Sequence, residues 1–317
     1  MGRGSVGELV AQARDGVPRA VARLVSLVEN ASPAVREVAA ALAPHTGRAY
    51  VVGLTGAPGV GKSTSTNALV GALRAAGKTV GVLAVDPSSP FSGGALLGDR
   101  IRMEQHATDP GVFIRSMASR GHLGGLAWGT PQAIRVLDGA GFDVVLVETV
   151  GVGQAEIEIA SLADTTVVLL APGMGDGIQA AKAGILEVAD VYVVNKADRH
   201  GAETTVRDLR GALALAGDRG SWRPPIVKTV AARAEGVDDV VAAIDAHRAH
   251  LERTGELAAR RRHRAAREIE AIAVATLRAR IGEVRGGAAL DTVAEQVAAG
   301  RTDPFAAADQ LLAETAN

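Results

Sequence analysis

The run Gly56-Ala57-Pro58-Gly59-Val60-Gly61-Lys62-Ser63 constrains this chain more than any other stretch. It fits G-x-x-x-x-G-K-[ST], stands directly after the apolar run Tyr50–Thr55 and opens a stretch of helical character. That strand–loop–helix context gives the pattern a mechanism. Glycines without Cβ atoms let successive N–H groups turn inward around an anion. The helix that follows points its positive end at the same place. The reading is a phosphate cradle formed by Gly56, Ala57, Pro58, Gly59, Val60, Gly61, Lys62, Ser63 and Thr64. Lys62 is expected as an exposed ammonium awaiting the β- and γ-phosphates, and the Ser63 hydroxyl as a ligand of Mg²⁺. The competing reading, a glycine-rich turn beside an ordinary surface lysine, leaves the agreement of motif and flanks without a cause.

The surrounding pattern supplies the fold. Apolar runs at Tyr50–Thr55, Thr79–Val85, Val112–Ser116, Asp143–Thr149, Thr165–Leu170, Val191–Asn195 and Ile226–Val230 alternate with helical stretches. The helical candidates are Ser63–Ala76, Thr130–Gly139, Gly177–Ala189 and Glu203–Gly217. Runs that are apolar almost throughout suit strands covered on both faces. The spacing therefore predicts an α/β P-loop NTPase fold, a doubly wound and mostly parallel sheet. Ligands of such sheets collect at the carboxyl ends of the strands.

The flanks read as helix. Residues 1–46 carry Leu9, Val10, Val21, Leu24 and Val25 at helical spacing. Ser32-Pro33 reads as an N-cap and first helical residue ahead of Val35, Val38 and Leu42. In residues 235–317, Val240, Ile244, His247 and Leu251 share one face, while Ile269, Ile272, Thr276 and Ile281 share another. A break at Gly286-Gly287 precedes a last helix around Phe305–Leu312. The expected organisation is an N-terminal helical extension over 1–46, a nucleotide-binding domain over 47–234 and a C-terminal helical arm over 235–317.

Composition narrows the function. With Cys 0, disulfide scaffolds, thiolate metal sites and cysteine nucleophiles are excluded. An aromatic share of 3% argues against a base-stacking platform for nucleic acid. Lys+Arg 34 against Asp+Glu 35 offers no global attraction to nucleic acid or an anionic membrane. The cluster Arg260, Arg261, Arg262, Arg264 and Arg267 reads as a solvated or partner-facing helix side. His247 and His250 read as a surface pair without further metal ligands. No apolar run is long enough to span a bilayer and the first residues lack a leader's apolar core, so a cytoplasmic protein is expected.

Further motifs join the phosphate loop. Asn195-Lys196-Ala197-Asp198 follows an apolar run, and a carboxylate there can accept from the ring N–H and the exocyclic amine of guanine together. Adenine offers no matching donor pair, so a site built this way rejects it. Glu148, ahead of Thr149-Val150-Gly151, suits indirect Mg²⁺ binding; the bland alternative is a strand-terminal acid capping the next helix. Asp86, before Pro87, and Asp99, in Gly98-Asp99-Arg100, are further acids for the metal. Lys182 lies beyond the glycine-rich segment Gly173-Met174-Gly175-Asp176-Gly177, which reads either as rearranging with nucleotide state or as a plain connection.

The set as a whole resembles the MeaB/MMAA/ArgK-type P-loop GTPases. The resemblance rests on Gly56–Thr64, Asp86-Pro87-Ser88-Ser89, Gly98-Asp99-Arg100-Ile101-Arg102-Met103 and Arg120-Gly121-His122-Leu123-Gly124-Gly125-Leu126. It rests equally on Glu148-Thr149-Val150-Gly151-Val152-Gly153-Gln154 and Asn195-Lys196-Ala197-Asp198. It implies a homodimeric GTPase that turns GTP and water into GDP and phosphate. Such proteins gate adenosylcobalamin loading of an acyl-CoA mutase, chiefly methylmalonyl-CoA mutase. By the same resemblance, Asp86 and Asp99 match switch I acids, Glu148 the switch II acid and Lys182 a partner-responsive switch III lysine. The family's T-S-A-L loop behind the base appears here as Thr229-Val230-Ala231-Ala232, which keeps the backbone donors and lacks the serine hydroxyl. The alternatives are a kinase passing the γ-phosphoryl to a small molecule or protein, and a metal-inserting GTPase. The second lacks the cysteines or His-rich tract it would use.

The base assignment is directly testable. Asp198→Asn should relax guanine preference by about 1–3 kcal/mol through loss of a charged hydrogen bond. Nucleotide titrations of parent and variant measure it, and equal GTP and ATP affinity in the parent would refute the assignment.

Overall fold

The computed structural model describes residues 5–86, 105–106, 108–118, 129–149, 155–173, 187–215, 220–284 and 288–315. Its centre is one seven-stranded sheet in the order β3-β2-β4-β1-β5-β6-β7, with every pairing parallel. The strands are β1 Tyr50–Thr55, β2 Val80–Asp86, β3 Val112–Ala118, β4 Val144–Glu148, β5 Thr165–Leu170, β6 Val191–Val194 and β7 Ile226–Lys228. These are the runs read from sequence, with ends moved by no more than a couple of residues. β1 lies between β4 and β5, so the chain's progression across the sheet reverses at its carboxyl end and opens a crevice there.

Alternation along the strands feeds two cores. Val51, Leu83, Val85, Val145 and Val147 face one side, while Tyr50, Val52, Leu54, Val80, Val82 and Leu146 face the other. The first side is covered by α1 Val6–Arg14, α2 Pro18–Glu29, α3 Val35–Leu42, α5 Thr130–Gly139 and α6 Ala155–Leu162. The second is covered by α4 Lys62–Ala75 and α8 Val237–Thr254, whereas α7 Ala202–Leu215 packs through Leu209 against Val168, Leu170 and Tyr192, which alternate to the first side. The N-terminal helices thus belong to one compact unit with the sheet, which runs through Ala258. The carboxylate of Asp138, at the end of α5, accepts the N–H groups of Gly47, Arg48 and Ala49 and fixes the entry into β1.

One boundary differs from the sequence reading. Pro33 lies in a turn rather than at the first helical position, and α3 starts at Val35. Ser32 still works locally: its hydroxyl accepts from Ala34 N–H and its carbonyl from Val35 N–H. The predicted helix Gly177–Ala189 and the Gly286-Gly287 break fall largely or wholly outside the described residues.

The amino ends of the strands share a device. Asp143, Asp164 and Asp190 stand immediately before β4, β5 and β6, and their carboxylates accept the N–H groups of Thr79, Val51 and Thr166 respectively. Each aspartate thereby satisfies a donor at the start of the neighbouring strand, where the ladder has no partner to offer. Near this end the histidine pair expected at the surface is buried, a correction with a clear cause. His247 Nδ1 lies 2.8 Å from the Thr165 hydroxyl, which lies 2.6 Å from the Tyr50 hydroxyl; His247 Nε2 is 3.3 Å from Asp190. Burial pushes the Tyr50 phenol well above its ordinary value, so it stays protonated. A protonated Tyr50 can donate to Thr165, which in turn can donate to His247 Nδ1 and leave Nε2–H facing Asp190. The Trp222 ring covers both His247 and His250, with centroids 4.8 and 5.2 Å away.

The second compact unit begins at Ala259 and is helical. It holds the greater part of α9 Glu256–Val284, together with α10 Ala288–Ala298 and α11 Pro304–Thr315. Asp303 caps α11, accepting from Phe305 and Ala306 N–H groups, with Pro304 at the helix start. Ile269, Ile272, Val274 and Leu277 on α9 are exposed. Among the described residues no helix is long and apolar enough to cross a membrane.

The aspartate device makes a pH prediction. The Thr79 backbone N–H, and after it the Thr79 hydroxyl, hold the Asp143 carboxyl below the usual carboxylate range. A carboxyl depressed by folding contributes stability that is fully present above its unfolded pKa of about 4 and lost as pH falls through the lower folded value. Asp143→Asn should therefore be less stable than the parent at neutral pH and converge with it in acid. Urea unfolding at a series of pH values checks this; a constant gap from pH 7 to pH 3 would sink it.

Candidate nucleotide-binding site

The loop that leaves β1 holds a shape only glycine permits at two points. Gly56 has φ +145°, and a Cβ there would lie 2.3 Å from the Leu169 carbonyl oxygen of the adjacent strand. Gly61 has φ +95°, and its Cβ would lie 2.5 Å from Asn195 Nδ2. α4 begins at once after Gly61, with no side-chain cap and no acid in its first turn. Its leading N–H groups and the positive end of its dipole therefore meet no capping side chain, the arrangement an anion fits.

Lys62 differs from expectation. Rather than standing exposed, its side chain is buried at 8% exposure, with Nζ folded over the loop 2.8 Å from the Gly56 carbonyl and 3.2 Å from that of Ala57. The reason is local: a buried ammonium takes the nearest acceptors, and the loop turns its carbonyls to it. Lys196 does likewise, donating to the Gly59 carbonyl from a residue whose own φ is +58°. Two cations thus rest on the loop's neutral oxygens.

Behind the loop, Glu148 at the end of β4 is buried, and both of its oxygens accept from hydroxyls on α4. Ser63 Oγ donates to Oε1 at 2.7 Å and Thr66 Oγ1 to Oε2 at 2.8 Å. A helix-capping role for Glu148 is therefore not needed to explain its place. With its proton given to Glu148, the Ser63 oxygen keeps its lone pairs for another partner. A hydroxyl oxygen backed by a carboxylate is a hard donor set that suits Mg²⁺. Thr66 was not legible as part of this site. Its only signal is a position one helical turn beyond Ser63, where an apolar stripe would put an aliphatic residue.

The turn after β6 is joined to the loop by Asn195. Its Nδ2 donates to the Val60 carbonyl at 2.9 Å, and its Oδ1 accepts from Thr229 Oγ1 and from Ala231 N–H. Asn195 and Lys196 thus bond to the phosphate loop, Asp198 follows in the same turn with Arg233 Nη1 3.5 Å from its carboxylate, and Val230, Ala231 and Ala232 lie in the turn after β7 that Asn195 also holds. Thr64 is exposed on the first turn of α4. Asp86 ends β2 on the same carboxyl side, but its side chain, like Asp99, Gly151 and Lys182, lies outside the described residues. Among the described residues no cluster of three or more His, Cys, Asp or Glu could hold a metal by itself.

Known proteins agree with this geometry. The family model described as methylmalonyl-CoA mutase-associated GTPase MeaB matches residues 21–285. A protein of Pyrococcus abyssi, provisionally named a GTPase, is 48% identical over 312 residues, covering 98% of this chain and 96% of its own. GTPase ArgK of Escherichia coli is 36% identical over 267 residues, 80% of this chain and 79% of that one. The mitochondrial methylmalonic aciduria type A homolog of Mus musculus is 40% identical over 216 residues, 67% of this chain and 52% of its own. Among solved structures, a crystal structure of LAO/AO transport system kinase matches with TM-score 0.71 at 26% identity, over 100% of this chain and 99% of that one.

The hold on Glu148 can be tested by removing one hydroxyl. Thr66→Val keeps the volume and deletes the donor to Oε2, so stability to urea should fall by about 1–3 kcal/mol. A loss within about 0.5 kcal/mol would mean that Glu148 does not depend on Thr66.

Proposed function

The chain belongs to the MeaB family of P-loop GTPases, and from that membership we propose a Mg²⁺-dependent GTP hydrolase that acts as a chaperone. Its client is an adenosylcobalamin-dependent acyl-CoA mutase, with methylmalonyl-CoA mutase the leading candidate, and it works as a cytoplasmic homodimer. The observation that carries the nucleotide part is the Asn195 amide, which ties the phosphate loop to the base-reading turns and so fits both ends of one nucleotide. The family description and the name of the mouse relative support the mutase.

The site's own groups suit this role. A polyphosphate offers Lys62 charged acceptors in place of two neutral carbonyls, and charge-assisted bonds are roughly twice as strong, so the ammonium transfers to it. The N-terminus of α4 adds its N–H groups. Ser63 and Glu148 would hold a Mg²⁺ ion, with Asp86 and Asp99 as further acids, and the ion would supply positive charge against the polyphosphate. Asp198 accepts from the ring N–H and exocyclic amine of guanine, with Val230, Ala231 and Ala232 beside the base. Water attacks the γ-phosphorus, the bond to the β–γ bridging oxygen breaks, and GDP leaves with that oxygen while phosphate is released. Catalysis is positioning and charge neutralisation, so turnover is slow until a partner completes the site, with Lys182 as the lysine that responds to it.

The test uses labelled GTP with and without the mutase. Label should appear as inorganic phosphate alone, turnover should rise with added mutase, and Lys62→Ala should lose about 10²-fold or more. Turnover unchanged over a wide mutase range would count against the chaperone role. A phosphorylated acceptor would replace hydrolysis with kinase chemistry.

A further inference from the structure

Reading guanine through a carboxylate demands orientation as well as charge. Two parallel N–H donors must meet two oxygens, so the carboxylate plane has to be set before the base arrives. Asp198 is poorly placed to set itself, with its side chain 41% exposed in a turn. A group of opposite charge stands beside it. Arg233 Nη1 lies 3.5 Å from Asp198 Oδ2.

Arg233 is itself held. Its Nε donates to Glu235 Oε1 at 2.7 Å and its Nη2 to Oε2 at 3.2 Å, a fork pairing that commits one edge of the guanidinium and turns Nη1 to Asp198. The backbone reinforces this. Val230 and Glu235 exchange hydrogen bonds as an isolated antiparallel bridge, Arg233 N–H donates to the Val230 carbonyl, and Ala234 takes φ +56° to close the turn. A tight turn thus carries an arginine fixed on one side by Glu235 and presented on the other to the base-reading acid. The same turn has Val230 where a serine hydroxyl could have served as a neutral donor.

We propose that Arg233 is a positioning residue for base recognition, holding the Asp198 carboxylate at the angle at which it accepts the guanine edge. The proposal rests on the guanine reading above and deepens it. It also explains a cation at this exposed place. As a stability element the pair would contribute little, because exposed ion pairs are worth about 0–1 kcal/mol. Its effect falls on a ligand that needs the carboxylate pre-set.

The experiment titrates GDP, IDP and ADP into the full-length parent, Arg233→Ala, Arg233→Lys and Glu235→Gln, and records each melting temperature without nucleotide. IDP keeps the ring N–H and lacks the exocyclic amine, so the GDP-to-IDP affinity ratio reports how well both carboxylate oxygens are aligned. Arg233→Ala should weaken GDP about 3–5-fold, the upper range for an exposed pair, and weaken IDP less. ADP affinity and melting temperature should not move, Arg233→Lys should recover part of the ratio, and Glu235→Gln should fall between parent and Arg233→Ala. Tighter GDP binding in Arg233→Ala would overturn the proposal by making the arginine a competitor of the base. Equal losses for all three nucleotides would overturn it by making the turn merely structural, and an unchanged ratio would show that Asp198 orients without help. A parent that binds GDP and ADP equally would instead overturn the guanine reading itself.

Discussion

Three hydrogen bonds to one buried amide hold together parts of this protein that the chain keeps far apart. Asn195 reaches the Val60 carbonyl in the phosphate loop and receives the Thr229 hydroxyl and the Ala231 N–H from the turn after β7. The amide has both a donor and an acceptor end, and only such a group can face a carbonyl on one side and two donors on the other. Lys196 on the Gly59 carbonyl and the Ala197 N–H on the Thr229 carbonyl add to that joint, so the loop, the turn after β6 and the turn after β7 are held as one unit around the buried amide.

Charge in the site follows a consistent logic. Before a nucleotide arrives, Lys62 and Lys196 lie on loop carbonyls, α4 starts without a capping side chain, and Glu148 holds two hydroxyls of α4. The carbonyl partners can give way to a ligand, because neutral carbonyls are poorer partners for an ammonium than phosphate oxygens. At the amino ends of the strands the position is reversed, with Asp143, Asp164 and Asp190 committed to backbone donors of neighbouring strands. One end of the sheet is closed by its own side chains, and the other keeps its binding capacity for a ligand.

Much of this was legible because it is local. A strand buried on both faces must be apolar nearly throughout, so β1, β4 and β5 stand out at sight, and the glycines of the loop mark the backbone positions a side chain would block. The failures have a common physical origin. Lys62 was expected exposed, yet its stem is covered and its ammonium folded inward. His247 and His250 looked like surface residues because the groups that bury them, Thr165, Asp190, Ser221 and Trp222, come from other segments. Pro33 looked like a helix start because the Ser-Pro pair is a fair signal for one, but the turn that precedes Val35 took both residues.

The sequence by itself determined the phosphate loop, the strands and their burial, and the tetrapeptide Asn195-Lys196-Ala197-Asp198 at the end of β6, since each rests on residues adjacent in the chain. The tertiary structure alone decided which distant groups meet. Thr66 finds Glu148 across 82 positions and Asn195 finds Val60 across 135, while Arg233 is brought to Asp198 from the turn after the next strand. The reason is geometric: spacing along a chain fixes what a helix or strand looks like, but the order of strands in the sheet fixes which of their ends lie side by side.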